Sequence, residues 1–153
     1  MKNLILFLSL SLVLVSCKKG FTTKQSGKFT ANGVVYNVGE NGMSASYYTS
    51  GSQYLRISST GASGGTYQTE IVVDLTKVNS TETIANKQDG FSYIQTGANV
   101  YYPLSGQWKI TSHEEGNPAT RHTEGTYSMI VRNPNPPYDI INITDGYFFV
   151  NNY

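Results

Sequence analysis

The feature that most limits what this chain can fold into is its punctuation. From about residue 28 onward, stretches of β-branched and aromatic residues are cut at intervals of roughly ten residues by clusters of Gly, Ser, Asn and Asp. Ordinary helices have no room between such breaks. Phe29-Thr30-Ala31 and Val34-Val35-Tyr36 flank Asn32-Gly33, and a type I′ turn needs positive φ at both central residues, so this segment predicts a hairpin. Met43 to Thr49, Gln53 to Ser59 and Gln68 to Leu75 predict three more strands, separated by Ser-Gly and Gly-Ala-Ser-Gly-Gly breakers. The third has an unbroken apolar centre, Ile71-Val72-Val73, which marks a central strand. Lys77 to Lys87 lacks an apolar stripe and reads as loop. Phe91 to Ile94, Val100 to Tyr102, Gln107 to Ser112, Thr126 to Val131, Asp139 to Thr144 and Tyr147 to Val150 continue with period two, and Asp145-Gly146 reads as a hairpin turn between the last two. The expected class is all-β, an antiparallel β-sandwich or open barrel of about 9–11 short strands.

The first residues obey different rules. Lys2 supplies a short positive region, and Leu4 to Val15 form an almost continuous apolar run that is too short to span a bilayer, which takes roughly 20 residues. Leu14-Val15-Ser16-Cys17 then has the form of a lipoprotein cleavage box, in which a small residue precedes a cysteine that is acylated and becomes the new N-terminus. The organisation that follows is a signal peptide over 1–16, a lipidated Cys17 with a polar tether over 17–27, and a single domain over 28–153. Cys17 is the only cysteine, so the domain has no intramolecular disulfide, thiolate cluster or Cys nucleophile. Two or more acyl chains on one cysteine hold a protein stably on a membrane. The expected location is therefore the cell envelope, by a lipid anchor in the outer membrane, facing the periplasm or the cell surface. Cleavage would leave ten Lys and Arg against ten Asp and Glu, and no basic face argues for nucleic acid. Only 14% of residues are charged, while 12 are tyrosine and 15 glycine, a composition that favours strands and tight turns.

Gly106-x-Trp108-x-Ile110-Thr111, Glu124-Gly125-Thr126-Tyr127-Ser128 and Ile143-Thr144-Asp145-Gly146-Tyr147-Phe148 stand in that order near the C-terminus. With Phe29-Thr30-Ala31, Asn32-Gly33 and Cys17-Lys18-Lys19, they resemble a family of small Bacteroidetes-type lipoproteins of uncharacterised function. Trp108 replaces the usual aliphatic residue and Tyr127 the usual Phe. The resemblance implies an all-β envelope lipoprotein and transfers no catalytic residue. Gly125 and Gly146 read as folding signals, since no phosphate-loop or dinucleotide pattern surrounds them.

Chemistry-bearing residues are few. His113, Glu114, Glu115, His122 and Glu124 form the one titratable cluster, and a Gly116-Asn117-Pro118 turn would bring the two histidines together across a hairpin. Two imidazoles and a carboxylate suffice for zinc, yet the spacing matches no zinc signature and polar hairpin tips carry charge simply to stay hydrated. No serine lies in a Gly-x-Ser-x-Gly elbow, no pair of glycosidase carboxylates stands out, and no cofactor is expected. Tyr47, Tyr48, Tyr54, Tyr67, Tyr93, Tyr101, Tyr102, Tyr138, Tyr147 and Tyr153 offer rings that would stack on sugars if several shared an exposed face, although one ring of each adjacent pair belongs in the core. Tyr47, Tyr101 and Trp108 are the candidate ligand contacts. The expected function is a non-enzymatic envelope module that binds a protein or a glycan. The alternatives are a structural subunit of an envelope complex and, behind that, a metal-dependent enzyme using the His113/His122 region.

Overall fold

Asn32 and Gly33 have φ of 47° and 83°, the two left-handed conformations that a type I′ turn demands, and they join β1 (Ser26–Ala31) to β2 (Val34–Val38). A computed structural model of the chain describes residues 24–49, 53–62, 66–84, 93–96, 99–117 and 120–151. The leader, Cys17 and the first part of the tether lie outside the described residues, as do Phe91 and Ser92. After a 3-10 turn at Glu40–Gly42 come β3 (Met43–Thr49), β4 (Gln53–Ala62), β5 (Thr66–Asp74) and β6 (Thr81–Thr83). The remaining strands are β7 (Tyr93–Thr96), β8 (Asn99–Glu114), β9 (His122–Arg132) and β10 (Ile140–Asn151).

The fold is all-β, and every strand-to-strand pairing is antiparallel. The strands run in the order β2-β1-β10-β9-β8-β7-β5-β4-β3, with β6 beside β8. This is a meander from β3 to β10 whose N-terminal hairpin has been added next to the last strand. Asn99–Tyr101 of β8 pair with β7, whereas Tyr102–Glu114 pair with β9, so β8 passes from one sheet to the other. Its register shifts between Pro103 and Ser105, next to that corner, where a bulge supplies the bend. The two sheets do not close into a barrel, and β2 and β3 end the path.

Alternation then decides which side chains are buried. Phe29, Leu55, Ile57, Ile71, Val73, Ile110, Met129, Val131, Ile143, Phe148 and Val150 all point between the sheets and are almost inaccessible. Each contributes about 1.5–3 kcal/mol by leaving water. Phe29 stacks on Tyr36 at 5.1 Å and Tyr36 leans on Tyr67 at 4.8 Å, tying the N-terminal hairpin to β5. Tyr127 reaches across the core from β9, and its hydroxyl lies 2.9 Å from Thr69 Oγ1 on β5. Burial pushes the Tyr127 phenol well up from its ordinary range, against the smaller opposing effect of the Thr69 hydrogen bond.

Several expectations need correction. β1 starts at Ser26, two residues before the expected domain boundary. Part of the expected loop is a strand, because Thr81–Thr83 pair with Gln107–Lys109 and Ile84 is buried behind them. Val100 to Tyr102 and Gln107 to Ser112 are one long strand, β8, carried through two irregularities. Asp145-Gly146 is not a hairpin turn. Only Asp145 has positive φ, 52°, whereas a two-residue I′ turn needs both residues there, so the strand bulges and continues. β9 pairs with β10 on both sides of the bulge, with Ile143 opposite Met129 and Gly146 opposite Tyr127.

Candidate binding face

Polar side chains alternate with the core residues and cover the outer face of β1, β10, β9 and β8. Register aligns them in a row that crosses six strands: Asn37, Lys28, Tyr147, Thr126, Lys109 and Thr81. A hollow of about 710 Å³ lies over this row, lined also by Gln107, Ser128 and Asp145 and floored by Trp108, Tyr127 and Gly146. A second hollow of about 430 Å³ adjoins it, lined by Ser105, Ile130, Asn142 and Thr144 among others. Gln107 and Ser128 line both, so the two form one trough across the sheet. The bulge at Thr144-Asp145 makes this relief, because the extra residue bends β10 and re-aims Asp145. Gly146 lets β10 pack closely on Tyr127 beneath the trough: a Cβ there would stand 2.5 Å from the Tyr127 carbonyl oxygen and 2.7 Å from its ring.

The carboxylates near the trough are already engaged. Asp145 Oδ2 accepts hydrogen bonds from the hydroxyls of Thr144 (3.1 Å) and Thr30 (3.4 Å), and Glu124 Oε1 accepts one from the Tyr147 hydroxyl at 3.1 Å. Lys28 and Lys109 make no ion pair among the described residues. Burial, with the Glu124 charge beside it, pushes the Tyr147 phenol up to about 12. A folded-state value above the unfolded one stabilises the protein fully below pH ~10 and is lost between that pH and about 12. Thermal melts taken across this window should therefore show alkaline destabilisation that is smaller in Tyr147→Phe than in the parent. An equal loss in both would mean that the Tyr147 phenol titrates normally.

The residues singled out in the sequence go to three places. Tyr101, 6% exposed, and Trp108, 7% exposed, belong to the core, Trp108 also lying beneath the trough, while Tyr102 is half-buried as alternation requires. Tyr47, 38% exposed, meets His113, Glu115, Arg121 and Leu75 around a small hollow of about 70 Å³ at the rim of the sandwich. That is room for about two waters. The hairpin expected between His113 and His122 forms, but His113 pairs with Thr123 and Glu114 with His122, so alternation sends the two imidazoles to opposite faces. His113 Nδ1 lies 2.9 Å from Thr123 Oγ1. His122 lies 3.0 Å from Ser112 Oγ through Nε2 and 2.9 Å from the Thr120 carbonyl oxygen through Nδ1, and its ring stacks on Phe149. Burial holds the His113 pKa below its ordinary value. Among the described residues no three His, Cys, Asp or Glu side chains gather as metal ligands. Glu124 alone of the cluster stands beside the trough, through Tyr147.

Among the described residues the tyrosines do not form one exposed face: Tyr36 and Tyr127 join Tyr101 in the core, and Tyr138 sits exposed in the β9–β10 connection, while Tyr153 lies outside the described residues. Of the three candidate contacts Trp108 alone lines the trough, as part of its floor, and among the described tyrosines Tyr147 and Tyr127 line it. Lys28, Gln107, Thr126 and Ser128 were not singled out, although each occupies the polar phase of a period-two strand. Comparison with family models, with curated proteins and with solved structures finds no match.

Proposed function

We propose that this chain is a lipid-anchored cell-envelope protein whose β domain binds a glycan along the outer trough and carries out no chemistry on it. The trough carries this reading: an open depression spanning several strands, lined by amides, hydroxyls and two lysines around the Tyr147 ring. Such a lining matches the alternating hydroxyls and apolar ring faces of sugars, for which an aromatic body with a polar tip is well suited. An extended, shallow site also fits a polymer better than a small metabolite, which is usually enclosed. The leader and Cys17 support placement on an envelope membrane, and the likeness to Bacteroidetes-type lipoproteins supports the same placement.

The test is a panel of oligosaccharides applied to the full-length chain in detergent, read by direct binding and by thermal shift. A ligand that binds only the folded state raises stability by about 2.7 kcal/mol at one hundred times its Kd. Binding is expected to fall sharply in Gln107→Ala, whose melting temperature without sugar stays close to the parent value, and in Tyr147→Ala by more than its loss of folded protein explains. Silence across the panel, or binding untouched by both changes, would overturn the reading.

A further inference from the structure

The charges on the outer face single out a ligand class within the reading proposed above, on which this inference rests. We infer that the trough selects acidic oligosaccharides, whose sugar carboxylates are held by Lys28 and Lys109. The two lysines stand in the same cross-strand row, Lys28 on β1 and Lys109 on β8, with Tyr147 and Thr126 between them. At about 4.8 Å per strand their backbones are roughly 14 Å apart. Flexible four-carbon stems let the two ammoniums reach over the row to successive charges on a chain lying across the strands. The aromatic ring between them offers a stacking surface for the intervening sugar.

The acids that would otherwise neutralise these lysines have other partners. Glu124 accepts the Tyr147 hydroxyl and Asp145 those of Thr30 and Thr144, and neither carboxylate lies in an ion pair with Lys28 or Lys109 among the described residues. Two cations and one carboxylate line the hollow, with Glu124 beside it at the Tyr147 hydroxyl, so the attraction for anions is local to the two ammoniums. The glutamate–tyrosine contact has a second effect, because it holds the phenol protonated and turned to Glu124, so the ring presents no competing negative charge to a bound carboxylate.

The experiment compares oligomers of galacturonate, glucuronate and mannuronate with their methyl esters, which keep the sugar and remove the charge, on the full-length chain. The acids are expected to bind and the esters to bind more weakly. Affinity for the acids should fall steeply as salt is raised through the range in which the screening length drops to about 10 Å and below. Lys28→Gln and Lys109→Gln are each expected to weaken acid binding about fivefold, the size of one partly exposed charge contact, and to weaken ester binding by clearly less. Circular dichroism and melting of both variants should match the parent, as both positions are on the surface. Acids and esters binding equally, or full affinity in both lysine variants, overturns the acidic preference and leaves the glycan reading standing. No binding of either form overturns both.

Discussion

Phe148→Ala is expected to lower the unfolding free energy by about 3–5 kcal/mol, the range for emptying a large aromatic from a closed core. Phe148 is 0% exposed on β10, and its ring lies over Gly125 of the neighbouring strand, where a Cβ would come within 2.5 Å of the ring and 2.4 Å of the Lys109 carbonyl oxygen. Ring and glycine are direct cross-strand partners. The aromatic covers a position that has no side chain of its own, so its removal opens a void that nothing nearby can fill. A domain of this size has about 5–15 kcal/mol of stability in total, so much of it would go with this one side chain. Denaturant titration checks the result: the midpoint should fall with the slope unchanged, whereas a loss below about 1 kcal/mol would mean that the core relaxes into the space.

Gly146→Val is expected to have an effect of comparable size by the opposite route. The added Cβ would overlap the carbonyl oxygen of Tyr127 and both sides of its ring, at 2.5 to 2.7 Å. Backbone cannot yield as the tip of a flexible side chain can, so the cost should lie at or above the usual range of about 1–3 kcal/mol for overpacking. Relief requires Tyr127 to move, and Tyr127 is held across the core by Thr69. The variant should therefore lose stability and also disturb the trough floor, weakening sugar binding beyond any fraction that is unfolded. Retained stability would show that β10 shifts register at the bulge and that the Thr144-Asp145 relief is not fixed by the core.

Local turn chemistry was the most legible part of the sequence. Asn32-Gly33 specifies its hairpin because both residues tolerate positive φ, and the bounds of β3 fall where breakers stand on either side. Asp145-Gly146 has nearly the same chemistry and a different outcome, since the choice between a turn and a bulge depends on whether a neighbouring strand pairs with both flanks. That neighbour, β9, is identified only by tertiary structure. The same limit hid the trough. Lys28 and Tyr147 are far apart in sequence, and nothing local states that the first strand pairs with the last. Period two placed Trp108 on a strand correctly but could not say which face looks inward, and the core took it. The histidine cluster shows the reverse case: the expected hairpin exists, and one residue of register separates the two rings onto opposite faces.

Amide chemical-shift mapping of the full-length chain with an oligosaccharide that binds it tests the glycan-binding trough most directly. The predicted result is a continuous set of shifts at Lys28, Gln107, Lys109, Thr126, Ser128 and Tyr147, crossing β1, β10, β9 and β8 along the row that register defines. Shifts confined to Tyr47, His113 and Arg121 at the rim, or to the terminal strands β2 and β3, would contradict it.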